Sequence, residues 1–186
     1  MQEEIVQSIK FLKEGGTIIY PTDTVWGLGC DATNEAAVAK IFTIKQREES
    51  KYLIVLVDSF TMLQLYIPGI PRNILDYLLT LTKPTTVIYT NPMGFAQNIV
   101  AQDNTVAVRI VKKGFCYQLI KQFGKPIVST SANISGQPTP KSFKEIDTSF
   151  LDAVDYVVNL QRDKQTEKPS TIVKIDTNGH LTVIRD

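Results

Sequence analysis

A chain of 186 residues, 43% hydrophobic and 21% charged, has material for one substantial core and reads as an ordinary globular protein, a single domain over 1–186. Its 20 basic and 19 acidic residues leave a net charge of +1, which argues against a global field for duplex nucleic acid or an anionic membrane but leaves room for a local basic pocket. Two cysteines exclude a disulfide framework or a metal cluster, no apolar run approaches the about 18 residues of a membrane span, and the acidic start Met1-Gln2-Glu3-Glu4 is unlike a signal peptide, so a reducing cytoplasmic setting is expected.

Ile5, Ile9 and Leu12 recur at helical spacing, with Glu3 and Glu4 in the first turn and Gly15-Gly16 as a stop, predicting a helix over 3–14. Thr17 to Tyr20 reads as a short buried strand. Pro21 would end its hydrogen-bond ladder, leaving Pro21 to Gly29 (PTDTVWGLG) as a polar, glycine-bearing loop at the strand's carboxyl end, where open α/β sheets bind ligands. Asn34 is an N-cap for a helix to about Gln46, with an apolar stripe of Ala37, Val38, Ile41 and Phe42. Downstream, Leu53 to Val57, Thr86 to Thr90 and Val106 to Ile110 read as strands, and Pro71 to about Leu81 and Gly114 to Phe123 as helices. Pro126 to Val128 is a short strand followed by the polar segment Ser129 to Gly136. Val154 to Val158 and Ser170 to Ile175 are strand-like, 161–169 an exposed connector, and Asp176 to Gly179 a turn before a last strand, Leu181 to Ile184.

Three segments carry candidate chemistry. Lys45, Arg47 and Lys51 lie just beyond a helix, where they read either as a solvated cluster complementing its carbonyl end or as an anion clamp. Arg109 ends an apolar strand, where a guanidinium needs a carboxylate or phosphate partner. Ser129, Thr130, Ser131 and Asn133, like Ser170-Thr171, form either local hydroxyl turns or a concave set of donors.

Other motifs carry less. Gly27-x-Gly29-x-x-Ala32 fits a relaxed dinucleotide fingerprint only weakly, because Pro21 and further residues separate it from its strand, and no P-loop sequence is present. The lone histidine, His180, sits in a terminal turn and reads as exposed; Cys30, beside the glycine stretch, reads as a small buried apolar residue. With no paired carboxylates and no cysteine–histidine arrangement, the chemistry expected is group transfer by positioning and electrostatics.

In order and spacing, PTDTVWGLG (21–29), IFTIKQREESKYLIVLV (41–57), KPTTVI (83–88), TVAVRI (105–110), STSANISG (129–136), PSTIVKID (169–176) and VIRD (183–186) resemble the YrdC-like threonylcarbamoyl-AMP synthases. The resemblance implies an α/β fold with a twisted, open mixed sheet flanked by helices and a concave polar surface. It implies formation of threonylcarbamoyl-adenylate and pyrophosphate from L-threonine, bicarbonate and ATP, in the modification of tRNA to threonylcarbamoyl-adenosine. By motif, Lys45, Arg47 and Lys51 look like the catalytic triphosphate clamp. Mg2+ would be held mainly by phosphates, and Arg109 would meet the threonine carboxylate. Thr24, Ser129 and Ser170 would hold threonine, its methyl near Val25 or Leu28; Thr105, Ser131, Asn133, Thr139 and Arg185 resemble nucleotide contacts. Implied partners are tRNA and a downstream threonylcarbamoyl transferase complex.

The chain departs from the family pattern at Leu81-Thr82-Lys83-Pro84, at Glu48 and Tyr52, and at Val111, each where prolines are common, and looks like the short, single-domain form. Two other functions compete: a tRNA or double-stranded RNA binding module without adenylation, and carbamoyl transfer as in hydrogenase maturation.

Overall fold

The computed structural model describes residues 1–47, 52–163, 165, 169–175 and 180–185. Helix α1 (Gln2–Lys13) buries Ile5, Ser8 and Leu12, and the Gly16 N–H donates to the Phe11 carbonyl at 2.8 Å to close its end. Strands β1 (Ile18–Pro21) and β2 (Trp26–Gly29) then form an antiparallel hairpin, Ile18 facing Gly29 and Pro21 facing Trp26. The expectation of one loop over 21–29 is corrected here: only 22–25 turns. Pro21 takes the last strand position, which tolerates a missing N–H.

The glycines of β2 are strand residues for a steric reason. A Cβ on Gly29 would lie 2.3 Å from the Val128 carbonyl oxygen and 2.7 Å from the Tyr20 ring. Crowding by the sheet and not phosphate binding demands glycine at this position, which removes the physical basis of the weak dinucleotide fingerprint.

Helix α2 (Glu35–Lys45) starts where the Asn34 side chain accepts the Ala37 N–H, and it ends with Gln46 in the left-handed region and the Arg47 N–H on the Phe42 carbonyl. That reversal sends Arg47 back toward the sheet. The rest of the chain gives β3 (Ile54–Val57), α3 (Phe60–Tyr66), α4 (Arg72–Thr80), β4 (Thr85–Thr90), β5 (Thr105–Ile110), α5 (Gly114–Phe123), β6 (Ile127–Ser131), α6 (Thr148–Asp152), β7 (Tyr156–Val157), β8 (Thr171–Ile175) and β9 (Leu181–Arg185). α3 and α6, capped by Ser59 and Asp147, are too short to show helical periodicity in sequence. β6 runs on through Ser129 to Ser131, so the polar segment expected after the strand lies partly within it. The turn expected at 176–179 and residues 164 and 166–168 of the connector lie outside the described residues.

The strands form a nine-stranded mixed sheet in the order β7-β1-β2-β6-β3-β5-β4-β8-β9, with β1–β7, β3–β5 and β4–β8 parallel and the other neighbours antiparallel. It is open, twisted and flanked by helices, as expected. Because side chains alternate across a strand, the registers Ile54–Ala107–Ile88, Arg109–Thr86 and Ile54–Ser129 put those residues on one face, and Val87, Tyr89, Val108 and Ile110 on the other. Both cysteines are buried, and burial pushes the Cys116 thiol up to about 12, so neither is poised as a nucleophile. No helix among the described residues is long and apolar enough to cross a membrane.

Candidate functional site

The face that carries Ala107 and Arg109 opens into a cleft of about 510 Å³. The hairpin turn supplies Thr22, Thr24 and Val25, and β6 supplies Ser129 to Ser131. Arg47 and Tyr52 come from the segment after α2, Thr139 from the following loop, and Ser170, Ile172, Ile184 and Arg185 from the carboxyl-terminal strands. Eight of the residues singled out in sequence therefore line one cavity: Thr24, Arg47, Arg109, Ser129, Ser131, Thr139, Ser170 and Arg185.

Its electrostatics are one-sided. Three guanidinium groups line the cleft and no carboxylate does, among the described residues. Each arginine commits one nitrogen to the protein. Arg47 Nη2 donates to the Tyr52 carbonyl at 2.6 Å, Arg109 Nη1 pairs with Asp23 Oδ1 at 2.5 Å, and Arg185 Nη2 donates to the Ser170 carbonyl at 2.8 Å. The Nε atoms of Arg47 and Arg109 are buried without a hydrogen-bond partner among the described residues. An unpaired buried donor is costly, so both point to a ligand that would satisfy them. Burial also lowers the pKa of Arg47, though a guanidinium stays charged near neutral pH. The hydroxyls are held as well: Thr22 Oγ1 donates to the Val25 carbonyl at 2.7 Å and lies 3.0 Å from Thr24 Oγ1, and Ser170 Oγ lies 2.9 Å from Thr86 Oγ1. Tethered cations and hydroxyls around an apolar floor of Ile54, Ile88 and Ala107 suit an anionic small molecule with a short apolar part.

Three other expected residues do not line the cleft. Lys45 is 1% exposed, and its Nζ donates to the carbonyls of Ser131 and Asn133, each at 2.6 Å, while its own carbonyl accepts the Ser135 N–H. It fastens the end of α2 to the loop after β6. Thr105 is buried with its hydroxyl 2.6 Å from Asp103 and 2.9 Å from the Tyr52 hydroxyl, and Asn133 Nδ2 donates to the Ile134 and Gln137 carbonyls. Lys51 lies outside the described residues.

Lys45 gives the protein a pH signature. Burial first, and the neighbouring Arg47 second, pull its pKa down to about 7. Between about pH 7 and the ordinary lysine value of about 10.4, the unfolded chain holds a proton that the folded chain has lost, so the Lys45 contribution to stability rises with pH through that window. The expected difference in unfolding free energy between wild type and Lys45→Met grows by on the order of 1 kcal/mol in favour of wild type from pH 7 to 8.5. A pH-independent difference in denaturant melts would reject this origin.

Two residues escaped the sequence reading. Asp23, inside the PTDTVWGLG stretch, is the partner of Arg109, and Thr86 is the buried hydroxyl that holds Ser170. A signal existed for Thr86, since a polar residue in an apolar strand calls for a partner; none existed for Asp23, whose partner lies 86 residues away.

A model of the Sua5, YciO and YrdC family, described by the words "Telomere recombination", matches residues 10–186. The chain is 36% identical over 186 residues to a threonylcarbamoyl-AMP synthase of Pseudoalteromonas translucida, covering 97% of each chain, and 34% identical over 149 residues to one of Vibrio vulnificus, covering 78% of this chain and 80% of that one. It superposes on the crystal structure of P. abyssi Sua5 complexed with L-threonine with a TM-score of 0.87 at 28% identity, all of this chain matching 54% of that one. It thus spans about half the length of that Sua5. With a matched model over nearly its whole length, and the open mixed sheet that goes with it, this chain belongs to the Sua5/YciO/YrdC family.

Proposed function

We propose that this chain, as a single YrdC-like domain over 1–186, is an L-threonylcarbamoyl-AMP synthase that joins L-threonine, bicarbonate and ATP into threonylcarbamoyl-adenylate, releasing pyrophosphate and water. The carrying observation is the cleft lined by three tethered guanidinium groups and several hydroxyls with no carboxylate among its described lining. The names of the matched relatives, and the L-threonine held by P. abyssi Sua5, support the same reading.

In this proposal the threonine amine adds to bicarbonate with loss of water to give a carbamate, and a carbamate oxygen displaces pyrophosphate from the α-phosphorus of ATP. Neither step needs a protein nucleophile, which agrees with two inert, buried cysteines. Arg109 meets the threonine carboxylate with the nitrogens that Asp23 leaves open, and Thr24, Ser129 and Ser170 hold the amino acid. Arg47 and Lys51 neutralise the triphosphate, while Ser131, Thr139 and Arg185 hold the nucleotide. Lys45, Thr105 and Asn133 act by holding the loops that carry the contacting groups.

No group of three His, Cys, Asp or Glu side chains among the described residues could cage a metal, so Mg2+ fits as cargo of the ATP phosphates and water. Bound there it supplies charge neutralisation on the phosphates. The adenylate is consumed in the cytoplasm by a threonylcarbamoyl transferase complex acting on tRNA.

Pyrophosphate release from ATP and Mg2+, with threonine and bicarbonate omitted in turn and the adenylate sought by mass spectrometry, tests the proposal. Strict dependence on both substrates and the adenylate mass are expected. Salt-sensitive RNA binding with neither turnover nor threonine binding would replace the synthase by an RNA-binding module.

The same pocket predicts a specificity result. Val25 lines the cleft whereas Leu28 is wholly buried in the core, so Val25 is the residue placed to meet the threonine methyl. One methyl in an apolar pocket discriminates by about 10–200-fold, and Val25→Ala is expected to lower the threonine-over-serine ratio of kcat/KM by about fivefold or more. An unchanged ratio would clear Val25 of that role.

A further inference from the structure

The opposite face of the sheet opens into a second cavity, of about 600 Å³. Its floor is Val87, Tyr89, Val108 and Ile110, and Leu78, Leu81 and Phe115 wall it. Three lysines stand on the lining, Lys83, Lys112 and Lys113. Lys112 Nζ donates to the Leu81 carbonyl at 2.9 Å, whereas the ammonium groups of Lys83 and Lys113 make no hydrogen bond or ion pair among the described residues. Tyr89 is 4% exposed, and its hydroxyl has no hydrogen-bond partner among the described residues although it lies on the cavity floor. Burial raises its pKa, so it is a neutral donor at physiological pH. The ring is buried while the hydroxyl itself is not among the buried unpaired atoms, so its oxygen opens onto the cavity, where a ligand acceptor can take the place of water.

We propose that this cavity is a second binding site, for a small amphipathic anion whose apolar body lies on Val87, Val108 and Phe115, whose acceptor meets the Tyr89 hydroxyl, and whose carboxylate, sulfonate or phosphate is drawn to Lys83 and Lys113. The volume falls within the range of small-molecule sites, about 300–1,000 Å³. It lies across the sheet from the arginine-lined cleft and goes beyond the synthase reading. Among the described residues the two cavities share a lining residue only at the hairpin turn, where Thr22 lines both, Asp23 lines this one, and its partner Arg109 lines the other. Asp23 places a negative charge at that end of the cavity, which orients the anionic group toward the lysines instead.

The test is a fluorescence titration of the full chain with 8-anilinonaphthalene-1-sulfonate, a sulfonate on an apolar body, in wild type, Lys83→Glu/Lys113→Glu, Tyr89→Phe and Arg47→Ala. Saturable one-to-one binding is expected, weakened about tenfold by the double charge reversal and about threefold or more by Tyr89→Phe. Binding should be unchanged in Arg47→Ala and not displaced by saturating L-threonine. Both lysines are exposed, so the reversal leaves the core intact, which circular dichroism checks. Absence of saturable binding, an affinity indifferent to the charge reversal, or displacement by threonine would each overturn the proposal.

Discussion

Arg109→Ala is expected to abolish measurable threonine binding while leaving ATP binding within about threefold. Arg109 is 4% exposed and Asp23 19%, so the pair is largely out of water. Truncating one member of a buried, hydrogen-bonded charge pair costs about 2–5 kcal/mol, part of it the penalty of the charge left behind. For threonine the loss is larger than for ATP because the amino-acid carboxylate has no other cation assigned to it, whereas the triphosphate has several. Calorimetric titration with threonine and with ATP separately reads the difference, and equal losses for the two ligands would remove Arg109 from the carboxylate role. Arg109→Lys separates charge from geometry. It keeps the cation but loses the fork that serves Asp23 and a substrate at once, so threonine affinity should still fall by about tenfold or more. A denaturant melt guards against a trivial cause: if Arg109→Ala is unfolded under assay conditions, the lysine variant carries the test.

Where residues close in sequence decide the structure, the sequence was a good guide. Asn34 caps α2 as its side chain and position predict, and Gly124, at a φ of 75°, ends α5 at the expected residue. The hairpin at 18–29 was misread because its evidence is tertiary. Pro21 and two glycines look like a loop until the Tyr20 ring and the Val128 carbonyl are placed against Gly29.

The site divides in the same way. The hydroxyls of Ser129 and Ser131 in β6 and of Ser170 just before β8 converge because the sheet order brings β6 and β8 to the two sides of β3, β5 and β4. Lys45 looked like a clamp residue beside Arg47, but as the last residue of α2 it is turned onto the carbonyls of Ser131 and Asn133, whereas the left-handed Gln46 breaks the helix and leaves Arg47 lining the cleft. No local pattern reveals which carboxylate an arginine will choose, and Asp23 was legible only once the hairpin folded over β5.

Gly29→Ala is expected to be the most destabilising glycine-to-alanine change among the described residues. The added Cβ would sit 2.3 Å from the Val128 carbonyl oxygen, a backbone atom fixed in β6, and 2.7 Å from the Tyr20 ring, which is itself wholly buried. Neither neighbour can swing aside, since β6 is paired on both sides, with β2 and with β3. Overpacking a close-fitted interior costs about 1–3 kcal/mol when side chains can adjust and more when backbone must move, so a loss above about 3 kcal/mol is expected. For a chain of this size that is a fall of about 6–12 °C in Tm. Gly27→Ala is the matched control in the same strand. Its Cβ would meet Thr22 Cγ2 at 3.0 Å and Ser129 Oγ at 3.1 Å, both side-chain atoms. The cost should be only about 1 kcal/mol. Because Thr22 and Ser129 both line the arginine-rich cleft, Gly27→Ala should raise KM for threonine even while the protein stays folded. Equilibrium denaturation and threonine kinetics on the pair therefore separate the two duties of the hairpin: equal stability losses would mean that the contact with the Val128 carbonyl is not what demands glycine at position 29, and an unchanged KM in Gly27→Ala would detach the β2 glycines from the site.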